Sequence, residues 1–278
     1  MQKLCDLHTH SIFSDGSYTP RELVDGAVAS GLSAIALCDH NTADGLDAFL
    51  AAAEGRAIEA IPATELSVDY GGRELHLIGM FIPSEHFATV NSLMETMQRR
   101  KEISNLELIA SLAASGVVLD YDYIKRQTPN GRVNRAHIAA ELMRIGYTNS
   151  VAEGFATLLS PAAGHYKEPK RMTVFEAIDF IRSIGATPVL AHPFLNLSRD
   201  ELEAFLPQAR EAGLVGMECY YSLYDEQTTA EALRLAKKYG IKPSGGSDFH
   251  GKNKPDISLG TGRGNLRIPY EWLEALKE

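Results

Sequence analysis

The chain has 278 residues, with 27 Lys and Arg against 36 Asp and Glu, so its formal net charge is −9. That balance argues against a surface broadly coated with nucleic acid, and no apolar run approaches the ~18–20 residues that a membrane-spanning helix needs. A hydrophobic content of 45% and a charged content of 23% are those of an ordinary globular chain, long enough for one large domain or for a core with an insertion.

The charge is uneven. Residues 83–172 carry 11 Lys and Arg against 9 Asp and Glu, while the remainder carries 16 against 27. An acidic majority suits cation binding, and a mildly basic middle suits an anion. The N-terminus lacks the basic region and apolar stretch of a secretory leader, so the cytoplasm is the expectation. Cys5, Cys38 and Cys219 form no CxxC pair and each sits in an apolar, strand-like segment; reduced, buried thiols are expected.

Residues 3–7 read as a strand, followed by the polar turn Ser11-Ile12-Phe13-Ser14-Asp15-Gly16-Ser17. Thr19-Pro20-x-Glu22 opens a helix, with Thr19 as N-cap and Glu22 three residues on, and Gly31 closes it. Residues 33–38 form a second strand, a helix runs to Gly55, residues 58–61 form a third strand and residues 74–79 a fourth. Around Pro83 the alternation stops, and residues 83–165 read as an inserted, mostly helical cap. The rhythm resumes with helix 174–184, strand 187–191, helix 200–212, strand 215–219, helix 226–239 and strand 243–247. Repeated β-then-α units predict parallel strands with right-handed crossovers, in a distorted (β/α)7 barrel formed by residues 1–82 and 166–278.

Polar residues fall where these strands end. His8 and His10 follow the first and share one face by the strand period of two. His40 follows the second strand, Glu65 the third, His192 the strand before Pro193, and Asp248 with His250 the last; His76 lies on the fourth strand and Asp15 in the first loop. A barrel gathers its strand ends, so these nine side chains are expected to meet. Nitrogen and oxygen donors without a thiolate suit Mn²⁺, Fe²⁺ or Zn²⁺. Nine donors are too many for one ion, and two or three ions accommodate them. Asp6 and Asp39, beside these histidines, can orient an imidazole through its second nitrogen or cap a turn.

His8-x-His10-Ser11, Ser14-Asp15-Gly16, Asp39-His40-Asn41, Glu65, His76, Ala191-His192-Pro193 and Gly246-Ser247-Asp248-x-His250, in this order, resemble the motifs of the polymerase-and-histidinol-phosphatase (PHP) superfamily of phosphoesterases. The resemblance implies a trinuclear centre. His8, His10, Glu65 and Asp248 would hold one ion, Glu65 would bridge to a second completed by His76 and His192, and Asp15, His40 and His250 would hold a third. Glu65, His192 and Asp248 are the candidates for direct participation in the reaction. Arg135-x-His137-Ile138-Ala139, Gly164-His165-Tyr166 and the basic residues 167–171 further resemble the branch of 3′,5′-nucleotide bisphosphate phosphatases and enzymes that trim 5′ ends of short RNA. Ser104-Asn105, preceded by Arg99-Arg100, stands where that branch carries Arg-Asn.

The expected reaction is therefore hydrolysis of a phosphomonoester or terminal phosphate of a nucleotide, or at the 5′ end of short RNA, by a hydroxide generated between divalent metal ions. Arg99, Arg100, Asn105, Arg132, Arg135 and His137 are the candidate substrate contacts, Arg being suited to bidentate phosphate recognition. A small phosphorylated substrate is expected, with no membrane and no extended nucleic-acid surface. The competing readings are a histidinol-phosphatase-like enzyme for a small metabolite, an amidohydrolase, against which the absence of a strand-end lysine argues, and a non-catalytic metal-binding module.

Overall fold

The structure, a computed structural model, describes residues 2–128 and 133–278. Strand β1 (Leu4–Thr9) is buried on both sides although Asp6, His8 and Thr9 are polar. Helix α1 (Pro20–Ala29) follows, opened by the predicted reciprocal cap between Thr19 and Glu22. Then come β2 (Ala34–Leu37), α2 (Leu46–Ala53), β3 (Glu59–Tyr70) and β4 (Arg73–Met80). After a helical segment the alternation returns with α7 (Val174–Ser183), β5 (Thr187–Leu190), α8 (Arg199–Ala212), β6 (Gly216–Tyr221), α9 (Glu226–Tyr239), β7 (Lys242–Gly246), β8 (Ile268–Pro269) and α10 (Tyr270–Lys277).

One eight-stranded sheet results, in the order β7-β6-β5-β4-β3-β2-β1-β8. Its far edges nearly close. The N–H of Asp248 donates to the carbonyl of His8 at 2.8 Å, and that of His10 to the carbonyl of Phe249 at 2.9 Å, so the end of β7 lies along the end of β1. The fold is a mixed α/β, barrel-shaped sheet with helices.

Two features depart from a simple run of parallel units. Strand β3 does not stop at residue 61 but continues through Glu65 to Tyr70, and Gly71 and Gly72 turn it straight back into β4. Both glycines have positive φ, 62° and 85°, as a two-residue hairpin turn requires. Such a short connection permits only antiparallel pairing, so β4 runs antiparallel to β3 and to β5. Glu65, expected at a strand end, is thus an interior position of a hairpin, and His76 lies within the fourth strand as expected.

The second departure is a pair of β-bulges. One lies on β1 between Asp6 and Thr9, the other on β6 between Glu218 and Tyr220. Each inserts a residue and re-aims the side chains beyond it. On β1 the strand alternation itself sends Cys5 and Leu7 into an apolar cluster with Ala34, Ala36, Ile61, Ile78 and Val189 while His8 and His10 face the polar basin. All three cysteines are free and buried, and burial pushes each thiol pKa up.

The chain divides into two compact units, Met1–Ser92 with Met172–Glu278, and Leu93–Arg171. The division falls inside α3 (Phe87–Ala114), whose first residues belong to the first unit. The second unit is helical and adds α4 (Tyr121–Gln127), α5 (Arg135–Arg144) and α6 (Val151–Ala156). Its own core is built from Leu108, Leu112, Ile124, Ile138, Leu142 and Leu159. Among the described residues, no helix is long and apolar enough to cross a membrane.

Candidate metal centre

Backbone pairing delivers each side chain of the basin. Glu65 donates its N–H to the carbonyl of Asp39 and accepts the N–H of Asn41, which places His40 beside it. His76 pairs across the hairpin with Ser67, two residues from Glu65 on the same face. Ala191 donates to the carbonyl of His76, bringing His192 alongside. Asn41, His192 and Asp248 all have positive φ, at 53°, 26° and 57°. Such backbone costs energy at a non-glycine residue, and it gathers here where strands deliver polar side chains.

Glu65 sits at the centre of a closed ring of imidazoles. Its Oε1 lies 2.9 Å from Nδ1 of His76 and 2.9 Å from Nε2 of His192; its Oε2 lies 3.1 Å from His40, 3.2 Å from His8 and 3.4 Å from His10. Ring centroids run His8 to His10 at 5.0 Å, His10 to His40 at 4.6 Å, His40 to His76 at 5.3 Å, His76 to His192 at 5.2 Å, and His192 back to His8 at 5.7 Å. His250 stacks on His10 at 4.2 Å, and its Nε2 is 3.2 Å from Oδ1 of Asp15. Asp248 Oδ1 is 3.2 Å from His10, while its Oδ2 accepts from Tyr221 and Lys254 at 2.8 and 2.7 Å. All nine residues expected to converge do so.

Four sets of side chains offer donor atoms within 4.8 Å of one another: His10, Asp15, His40 and His250; His8, His10 and Glu65; His40, Glu65 and His76; and His8, His192 and Glu218. The donor set fits a cation on a further observation. His10 Nδ1, Glu65 Oε2, His192 Nδ1 and His250 Nε2 are buried without a hydrogen-bond partner. Buried polar atoms are rarely left so unless another group satisfies them, and a divalent ion matches imidazole and carboxylate donors.

The carboxylates stay charged. Burial alone would raise the Glu65 pKa, but His8 and His40, with hydrogen bonds from His192 and His76, hold it well below the ordinary range. Burial is likewise outweighed by the facing imidazole of His250 at Asp15 and by that of His10 at Asp248, and both are lowered. Burial lowers His40 and takes His10 down to about 3, so both are neutral donors at pH 7. Burial opposes charge on His8 and His76 too, yet Glu218 and Glu65 raise His8, and the hydrogen bonds to Glu65 and Glu74 carry His76 to about 10. The ionised carboxylates attract cations, and an ion that takes the His8 or His76 nitrogen displaces its proton.

Asp6 and Asp39 do not orient imidazoles. Asp6 accepts from the N–H and Oγ of Ser247 and from the N–H of Gly260. Asp39 accepts from the N–H and Oγ of Ser11 and from Oγ of Ser14. Each braces a loop that carries basin residues. Glu218 is a residue that motif spacing did not reveal: its Oε1 is 3.0 Å from His8 Nδ1, and its Oε2 accepts from the His192 N–H at 2.7 Å. The available signal was a lone acid inside an otherwise apolar strand.

The candidate substrate contacts lie in the helical unit. Arg99 and Arg100 are exposed on α3. Arg135 opens α5 with its guanidinium 4.1 Å from the ring centroid of Tyr166 and 5.8 Å from that of Phe155. Asn105 is buried and donates to the carbonyl of Val133 at 3.0 Å. His137 closes a reciprocal N-terminal cap with Asn134, accepting its N–H at Nδ1. Ser104 donates to the carbonyl of Lys167, and Ser111 pairs with His165. Arg132 lies outside the described residues.

Comparison with known proteins agrees with this geometry. Residues 6–182 match the PHP domain family. The chain is 31% identical over 251 residues to a 5′-3′ exoribonuclease of Haemophilus influenzae, covering 90% of this chain and 91% of that one. It is 29% identical over 257 residues to a 3′,5′-nucleoside bisphosphate phosphatase of Chromobacterium violaceum, covering 92% and 90%. A solved structure from Bifidobacterium adolescentis, provisionally described as a metal-dependent phosphoesterase, superposes with a TM-score of 0.68 at 26% identity, covering 99% of this chain and 95% of that one. Fold, basin and relatives together define a metal-dependent phosphoesterase, a hydrolase acting on phosphoester bonds. The chain belongs to the PHP family.

Proposed function

We propose that this protein removes a terminal phosphate from a nucleotide, such as a 3′,5′-bisphosphonucleotide, or acts at the 5′ end of short RNA. The observation that carries the hydrolytic reading is the ring of five imidazoles around the buried Glu65 carboxylate. The names of the two relatives support the substrate class.

His8, His10, Glu65 and Asp248 would hold one divalent ion, Glu65, His76 and His192 a second, and Asp15, His40 and His250 a third; Mn²⁺, Fe²⁺ and Zn²⁺ suit these donors. When bound, such ions lower the pKa of water toward neutrality and offset charge on a phosphoryl group. The residues themselves do the positioning. Glu65 lies between the sets and keeps its charge because imidazoles surround it. Asp248 offers one oxygen to the basin while Tyr221 and Lys254 fix the other. Residues 83–165 are proposed to act as a cap in which Arg99, Arg100, Arg132 and Arg135 meet the remaining phosphate. Asn105 and His137 would join them, His137 through Nε2, since its cap with Asn134 uses Nδ1.

The test compares adenosine 3′,5′-bisphosphate, AMP, histidinol phosphate and a 5′-phosphorylated trinucleotide in one assay with Mn²⁺. Turnover of the bisphosphate or the trinucleotide well above the other two is expected. Preference for histidinol phosphate would overturn the substrate class.

A further inference from the structure

Glu218 lies inside β6, 1% exposed, with Met217 and Cys219 fully buried on either side of it. A carboxylate so placed needs partners, and both of its partners belong to the basin. Its Oε1 is 3.0 Å from Nδ1 of His8 on β1, and its Oε2 accepts the backbone N–H of His192 just beyond β5 at 2.7 Å.

With Oε2 accepting the His192 N–H, Oε1 is placed to accept from His8 Nδ1, the nitrogen that faces it at 3.0 Å. Glu218 thereby keeps a hydrogen on His8 Nδ1 and leaves Nε2 as the nitrogen that can exchange its proton for a cation. That nitrogen is 3.0 Å from Nε2 of His10, 3.2 Å from Oε2 of Glu65 and 3.8 Å from Oδ1 of Asp248. With the hydrogen kept on Nε2 instead, that N–H would donate to Glu65, and the point of convergence would be closed to a cation. The second partner is as specific. His192 has φ 26° and ψ 54°, a conformation that a side chain disfavours, and a charge-assisted bond to its N–H holds it there. Its ring then reaches Glu65 through Nε2 at 2.9 Å. The bulge between Glu218 and Tyr220 falls directly after this carboxylate.

Glu218, His8 and His192 also have donor atoms close enough to form a cation site by themselves. Both oxygens of Glu218 are already engaged by N–H groups, which favours a different role. We infer that Glu218 is a positioning residue, which sets the His8 tautomer and the His192 backbone so that the two imidazoles face one metal centre. The inference rests on the metal-dependent reading above.

Three variants test it: Glu218→Ala, Glu218→Gln and, as a control for destabilised β6, Met217→Ala. Glutamine keeps the size but has one acceptor oxygen, so it can serve only one of the two N–H groups. Mn²⁺ affinity is measured by chelator competition, ions per chain by elemental analysis, and the thermal midpoint on chelator-stripped protein. Affinity is expected to fall ~10–100-fold in Glu218→Ala and less in Glu218→Gln, while Met217→Ala lowers the thermal midpoint and leaves affinity in place. Wild-type affinity in a folded Glu218→Ala protein would overturn the inference. If that variant does not fold, unchanged affinity in Glu218→Gln overturns it, as does an equal loss in Met217→Ala. Failure of the wild-type protein to bind any divalent ion would instead strike the metal-dependent reading itself.

Discussion

Glu65 Oε1 and His192 Nε2 stand 2.9 Å apart although 127 residues separate them in the chain. The same oxygen is 2.9 Å from His76, and the second oxygen serves His8, His10 and His40. One carboxylate therefore meets all five imidazoles that enclose it, beside the charges of Asp15 and Asp248. Glu65→Gln keeps the volume and removes the charge. Metal content should fall, and phosphate release should drop by ~100-fold or more, the scale expected when a group offsetting transition-state charge is lost. Far-UV circular dichroism should stay close to wild type; phosphate release at the wild-type rate counts against the assignment.

Asp15 is the contrasting case. Its side chain is 58% exposed, in the loop after β1, where it approaches His250, His10 and His40 from the solvent side. Asp15→Ala should lose bound metal selectively, with elemental analysis reporting fewer ions per chain than wild type. Stability of the chelator-stripped protein should change by no more than ~0.5 kcal/mol, as for other exposed positions. Loss of every bound ion would show that the three donor sets do not act separately.

Barrel closure should be the weak point for a small-to-large change. A Cβ on Gly246 would lie 2.1 Å from Cβ of His8 and 2.6 Å from its backbone nitrogen. Neither can retreat, because His8 is pinned by Glu218 and by the Asp248 N–H that donates to its carbonyl. Gly246→Ala should destabilise by ~1–3 kcal/mol or more and also weaken metal binding. A urea midpoint equal to wild type would mean that β7 approaches β1 less closely than described.

A pH dependence unrelated to metal is expected at Glu201. Its carboxyl is brought to about 2 by the Ser198 hydroxyl and N–H, which it caps at the start of α8, and by Arg73. A folded pKa below the unfolded value stabilises the protein above the unfolded value and loses that contribution as pH falls through the folded one. With both proteins kept in chelator, wild type should exceed Glu201→Gln in thermal midpoint above pH ~5, and the gap should narrow as pH falls below ~4.5. A gap that widens on acidification contradicts the assigned cap.

The sequence carried most of this site because the donors are histidines placed at recurring strand ends, and side-chain period and barrel topology do the rest. His8 and His10 illustrate it: two residues apart on a strand, they meet as expected. Glu65 was legible as a site residue but not as part of a hairpin, since residues 66–70 mix polar and apolar types and the Gly71-Gly72 turn carries the decisive signal. Glu218 was not legible, because its bond to His8 spans 210 residues and no local motif marks it. Asp6 and Asp39 were placed correctly beside histidines, yet only coordinates could separate loop bracing from imidazole orientation. His137 also closes the N-terminal cap of α5 through Nδ1, a role its place among the candidate substrate contacts did not suggest.

The most direct measurement is a titration of Mn²⁺ into chelator-stripped protein, followed by phosphate released from adenosine 3′,5′-bisphosphate. Stripped protein should be inactive, and activity should rise to saturation at two or three ions per chain. Full turnover with no divalent ion bound would contradict the account.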